Sequence, residues 1–196
     1  HRNSEKLYEI EKKDLDDHAL SSPHQGVMAE VEPLTWLHLE DYVEKNTDKM
    51  CLVLLDQLTN SQNIGSILRT ASAFNVDGVV ITKNNTPVEN GLMARAAAGA
   101  IETMPLIRVT NLSRSIEYLK KNNFFVIGLE KHGKENICDC AGNPQTALVL
   151  GSENLGLRRL TKEKLSTSAK IPIAVQTESL NVSNAAAIAL YVIQNN

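Results

Sequence analysis

From residue 52 onward, short apolar runs alternate with amphipathic stretches. Leu52-Val53-Leu54-Leu55-Asp56 is apolar at every position up to its closing carboxylate. The runs 78–82, 105–109, 124–129 and 147–151 repeat that character, and Ala169-Lys170-Ile171 is a shorter version. Between them, helical spacing of apolar residues predicts helices over 64–74, 88–98 and 112–121, a short one near 156–165, and a last one over 184–194. An earlier helix is predicted over 35–45, after Pro33 and Thr35. Strands that are apolar on both faces and alternate with helices predict an α/β fold, a mostly parallel sheet with helices on both faces. The polar stretch 130–145 interrupts that rhythm. No internal repeat and no low-complexity tract is present.

The start of the chain is different. Residues 1 to 24 are charged and weakly periodic, and close at Ser21-Ser22-Pro23, which reads as a linker or the end of a preceding module. The folded part is expected over 25–196. A chain of 196 residues with 42% hydrophobic content supports one compact domain plus such a tail. Aromatics are only 4%, too few for a broad base-stacking sheet. The net charge of −3 excludes a passive basic binder of nucleic acid, so any phosphate contact must come from a local cluster. Cys51, Cys138 and Cys140 make a sparse, odd set that suits a reducing cytosol. Cys138-Asp139-Cys140 with His132 fits no standard zinc spacing, so no metal is expected. No apolar run approaches the ~18 residues of a membrane span.

In parallel sheets ligands bind beyond the carboxyl ends of the strands, and three of those ends are unusual here. After Asp56 the chain runs Gln57-Leu58-Thr59-Asn60-Ser61-Gln62-Asn63-Ile64-Gly65-Ser66-Ile67-Leu68-Arg69. Ile64, Ile67, Leu68, Ala71 and Phe74 form an apolar stripe, so Arg69 falls off it, among Gln62, Gly65, Ser66 and Ala73. Asn63 reads as a helix cap, and Arg69 either as a plain exposed arginine or as a guanidinium fork for phosphate. After 147–150 comes Gly151-Ser152-Glu153-Asn154-Leu155-Gly156-Leu157-Arg158-Arg159. Gly151 would let a ligand approach the backbone, Glu153 is an acceptor in a glycine-flanked turn, and Arg158 with Arg159 makes a positive spot. The third end is Ile171-Pro172 followed by a loop of about ten residues, long for a strand–helix connection. Its Glu178, Ser179, Asn181 and Ser183 read either as an elaborate helix cap or as a ligand-holding loop.

Taken together and in order, these segments resemble the three signature motifs of the SpoU family of RNA ribose 2′-O-methyltransferases, in the SPOUT superfamily. The matching residues are Asn63-x-Gly65-x-x-x-Arg69, then Leu150-Gly151-Ser152-Glu153-x-x-Gly156-Leu157, then Ile171-Pro172 with Ser179-Leu180-Asn181-Val182-Ser183. The likeness covers about 50–195. His24-Gln25-Gly26-Val27 also resembles the start of this domain in members that carry an N-terminal RNA-binding domain, among them the group that methylates a guanosine of 23S rRNA. Ser61, Asn154, Val175 and Asn184 depart from the family's usual residues.

The resemblance implies a C-terminal trefoil knot, S-adenosylmethionine as cofactor held by backbone groups at Gly151, Ile171 and Leu180, and RNA as substrate. It implies catalytic roles for Asn63, Arg69, Glu153, Asn181 and Ser183, with Glu153 and Asn181 orienting Arg69 and the ribose. It also implies a homodimer, for which the small face of the last helix (Ala185, Ala186, Ala187, Ala189, Leu190) is suited. Neither a membrane nor a metal partner is expected. A transfer-RNA ribose as target and a non-catalytic RNA-binding dimer are the alternatives. A nucleotide-binding dehydrogenase is a third, disfavoured reading, because no Gly-x-Gly-x-x-Gly follows Asp56.

Overall fold

The computed structural model describes residues 7–19, 24–46, 49–84, 86–87, 89–153 and 155–195. They form two compact units, 1–33 and 34–196. In the first, a short helix α1 (Lys12–His18) is followed by a turn at Gln25-Gly26, both with positive φ. His24 faces the Asp16 carboxylate at 2.7 Å. Ser21, Ser22 and Pro23 lie outside the described residues.

The second unit is built on a seven-stranded sheet. Its strands are β1 (Met50–Asp56), β2 (Gly78–Thr82), β3 (Leu106–Val109), β4 (Phe125–Leu129), β5 (Glu135–Asn136), β6 (Gln145–Gly151) and β7 (Thr167–Lys170). The order is β3-β2-β1-β6-β4-β7-β5, and every pairing is parallel. The helices are α2 (Leu39–Lys45), α3 (Ser61–Ala73), α4 (Gly91–Ala97), α5 (Ala100–Thr103), α6 (Leu112–Lys121), α7 (Arg159–Lys162) and α8 (Val182–Asn195).

The fully apolar strands are explained by two cores. Alternate residues of a strand point to opposite faces. Cys51, Val53 and Leu55 of β1 face a core with Ile64, Ile67, Leu68 and Ala71 of α3 and Ala186, Ala189 and Leu190 of α8. Met50, Leu52 and Leu54 face a second core with Leu39 and Val43 of α2 and Leu112, Ile116 and Leu119 of α6. Asparagines start several of the helices: Asn60, Asn90 and Asn111 each accept a first-turn amide of α3, α4 and α6. The α3–α4 contact is close because Gly65 has no side chain; a Cβ there would lie 2.7 Å from Ala96 Cβ. The chain leaves β7 near one edge and returns to pack α8 against α3 and β6.

Some expected boundaries move. The helix expected over 35–45 begins only at Leu39, because Leu37 is taken up by β3: its amide donates to Leu106 O at 2.9 Å and its carbonyl accepts from Arg108 N at 3.2 Å. The helix expected over 88–98 is cut by Ala98 and Gly99, both left-handed, and resumes as α5; Val88 lies outside the described residues. The expected helix near 156–165 is the single turn α7. The polar stretch 130–145 contains β5 and a 3-10 turn, Ile137–Cys140, whose Ile137 and Cys140 are buried.

Candidate active site

The carboxyl ends of β1 and β6 lie side by side, with Asp56 paired to Gly151. The start of α8 joins them. Three side chains from these segments meet. Asn63, in the first turn of α3, donates through Nδ2 to Glu153 Oε1 at 2.6 Å. Asn181 Nδ2 donates to the same oxygen at 2.8 Å and also to Asn63 Oδ1 at 3.2 Å. Asn181 Oδ1 in turn accepts from Ser183 N at 2.9 Å and from Ser183 Oγ at 2.6 Å. Asn181 is thus both the cap of α8 and a member of the cluster. Each amide has its donor and acceptor ends committed, which fixes its orientation. Beside the cluster is a shallow depression lined by Thr59, Asn60, Asn63, Ser152, Glu153 and Val182. Among the described residues, Glu153 Oε2 has no hydrogen-bond partner.

The turn that carries Glu153 is tightly folded. Ser152 and Gly156 exchange backbone hydrogen bonds of 3.2 and 2.8 Å, and Gly156 has φ +64°. A Cβ on Gly151 would lie 2.5 Å from Leu157 N and 2.6 Å from Gly156 O. The glycine is therefore required by the turn that doubles back over it; a ligand is not what fills that space. Arg158, at the turn's end, is held by Asp56, and Arg159 pairs with Glu163. The positive spot expected at Arg158 and Arg159 is largely neutralised.

Two expectations for α3 change. Its cap is Asn60, whose Oδ1 accepts from Gln62 N at 2.9 Å and Asn63 N at 3.1 Å. That frees the Asn63 side chain to reach Glu153. Arg69 is exposed as expected, but among the described residues it makes no hydrogen bond or ion pair, so Glu153 and Asn181 do not orient it here. It stands six residues beyond Asn63, about 9 Å further along the helix axis, one turn on from Gly65 and so on the side that meets α4. Gly151, Ile171 and Leu180 are each half-buried, and no hydrogen bond among the described residues joins them. Of the residues missed in sequence, Asp56 had a signal, a carboxylate closing an otherwise apolar strand; Asn60 had none that set it apart from Asn63.

No group of three metal-ligating side chains occurs among the described residues. The Cys51 and Cys140 thiols are buried, and desolvation chiefly pushes each up to about 12. No helix among the described residues is long and apolar enough to cross a membrane.

The profile of the SpoU rRNA Methylase family matches residues 50–191, the span that holds all three segments. The chain belongs to this family. A Staphylococcus haemolyticus protein of the TrmH family of tRNA/rRNA methyltransferases is 39% identical over 185 residues, covering 93% of this chain and 74% of its own. YacO of Bacillus subtilis, described in the same family terms, is 37% identical with the same coverage. Among solved structures, the SpoU methyltransferase AviRb of Streptomyces viridochromogenes, crystallised with S-adenosylmethionine, superposes with a TM-score of 0.71 at 26% identity over 76% of this chain. An S-adenosylmethionine-bound rRNA methyltransferase of Sinorhizobium meliloti, at 23% identity and the same TM-score, shares the fold. The chain spans 58% of AviRb and 61% of the Sinorhizobium enzyme.

Proposed function

We propose that this SpoU family chain transfers a methyl group from S-adenosylmethionine to a ribose 2′-hydroxyl of structured RNA, with a guanosine of 23S rRNA as the target. The observation that carries this reading is the Asn63–Glu153–Asn181 cluster, which joins residues 90 and 118 positions apart at the strand ends. A network with no such separation to span would suffice for a helix cap.

The cofactor supplies an electrophilic methyl on a sulfonium. Gly151, Ile171 and Leu180 are the backbone positions that would hold it. The segment from Pro172 to Ser179 is exposed, and Thr177 N to Ala174 O, at 2.9 Å, is the one backbone hydrogen bond within it among the described residues. Its main-chain groups therefore remain to serve a polar ligand, and exposed Ile173 and Val175 offer apolar contact. The protein's task is to bring the hydroxyl oxygen in line, about 3 Å from the methyl carbon, and to ease loss of its proton. In this reading the second oxygen of Glu153, which has no partner among the described residues, accepts from the ribose hydroxyl. Arginine keeps its proton beyond about pH 12, so Arg69, standing apart from the Asn63–Glu153–Asn181 cluster, acts as a cation that grips the target phosphate.

The remaining expectations belong to the same proposal. Residues 1–24 are a linker or the end of an RNA-binding module, and the catalytic domain follows, its compact unit beginning at Leu34. The return of α8 past β6 supports a threaded, knotted carboxyl end. A homodimer is supported by α8, whose Ile188 and Tyr191 stay 40% and 59% exposed, whereas Ala186, Ala189 and Leu190 are used within the chain. The test is methyl transfer to ribosomal and transfer RNA from cells lacking the modification, with Arg69→Ala and Arg69→Lys. Loss of transfer in both variants is expected. Retention of most transfer in either refutes the role of Arg69, and no binding of S-adenosylmethionine by the wild type refutes the function.

A further inference from the structure

Asp56 closes β1 as the only charged residue in a strand whose every position is buried, and its own side chain is fully buried. A carboxylate at that depth is costly unless its oxygens are matched by donors. Both are matched by one residue. Oδ2 accepts from the main-chain N–H of Arg158 at 3.0 Å, and Oδ1 accepts from Arg158 Nε at 2.6 Å. Arg158 is where the Glu153 turn ends, and the turn begins at Gly151, the β6 residue paired with Asp56. Both ends of the turn are therefore tied to one residue of β1, while Glu153 at its tip reaches Asn63 on the helix that follows β1.

We infer that Asp56 is a positioning residue of the active site: by holding Arg158 through main chain and side chain it sets the turn that presents Glu153 to Asn63 and Asn181. The inference rests on the methyl-transfer reading only for its kinetic consequence; the hold on the turn stands by itself. Half of the arrangement cannot be met by an amide. Asn at this position offers one acceptor oxygen, and its NH2 then faces either the Arg158 N–H or Nε–H, a donor against a donor.

The experiment compares wild type, Asp56→Asn, Glu153→Gln and the double variant. Amide hydrogen exchange is the readout that needs no activity. In Asp56→Asn the amides of Ser152, Gly156 and Arg158 are expected to exchange about tenfold faster or more, the equivalent of about 1.4 kcal/mol, while those of Val53, Leu54 and Leu148 keep their protection. Unchanged exchange in the turn overturns the inference, and so does uniform loss across β1 and β6, which would make Asp56 a general structural residue. Methyl transfer supplies the second readout. If Asp56 acts through Glu153, the two substitutions are strongly non-additive in kcat, the double variant resembling Glu153→Gln alone. Multiplying effects overturn the route through Glu153. Full activity of Glu153→Gln, with faster turn exchange in Asp56→Asn, leaves the hold intact and instead refutes the methyl-transfer role of the site.

Discussion

Gly151→Ala separates a glycine needed by a ligand from one needed by the chain. The added methyl would sit 2.5 Å from Leu157 N and 2.6 Å from Gly156 O, whereas Cβ atoms essentially never approach other atoms closer than 3.0 Å. Both neighbours are backbone, so no side chain can swing aside. The turn must retreat by about 0.5–1 Å, and overpacking of this kind costs about 1–3 kcal/mol. For a domain of this size that lowers Tm by about 2–12 °C. The same retreat acts on the Glu153 contacts with Asn63 and Asn181, now 2.6 and 2.8 Å, and takes them to or past the ~3.2 Å limit of a good hydrogen bond. A displacement near 1 Å at a reacting centre can cost about a hundredfold in rate. Thermal unfolding by circular dichroism and transfer of labelled methyl to unmodified RNA measure the two effects. A variant with wild-type Tm and wild-type turnover would show that the turn yields freely, and the packing argument would be wrong. A wild-type Tm with weakened cofactor binding alone would show that the added methyl meets the ligand and not the turn.

Three further predictions concern the start of α3 and the cysteines. Asn60→Ala removes both first-turn bonds at the start of α3 and should destabilise the protein by about 1 kcal/mol, measured by urea denaturation; Asn63→Ala should cost less, because the bonds it loses to Glu153 and Asn181 are exposed, and the reverse ranking would restore Asn63 as the cap. Thiol labelling at neutral pH should modify Cys138 and spare Cys51 and Cys140, whose thiols stay protonated up to about 12. Because the ordinary value is 9.0, the stability these thiols contribute is intact below pH 9 and falls as pH rises from there toward 12, so a Cys51→Ala variant should show a shallower alkaline decline in Tm.

The strands were legible because burial on both faces leaves unbroken apolar runs, as in 52–55 and 147–150. Their order was not. Periodicity says that a segment is a strand but carries nothing about which strand lies beside it, and the insertion of β6 between β1 and β4 depends on crossovers. The polar segment 130–145 hid β5 because a two-residue edge strand has no period to detect. At the site, residue types marked three segments that the fold brings together, but the contacts within them were not legible. Asn60 and Asn63 are equally good caps on paper, and only the helix start at Ser61 decides between them. The return of Gly156 and Leu157 over Gly151 was not legible because it is a tertiary fact. Arg158 looked like free charge because its partner, Asp56, lies 102 positions away.

The central place of β6 has a consequence for synthesis. Met50 pairs with Gln145, so one side of β1 has no partner until about a hundred further residues have been made. At about 5–20 residues per second, a ribosome needs about 5–20 s to supply them. Throughout that interval a strand of seven consecutive core residues, Met50–Asp56, presents a bare hydrogen-bonding edge to the cell. Slowing translation between codons 57 and 144 should lengthen that exposure, raise the share of product in inclusion bodies and increase demand for a holdase chaperone.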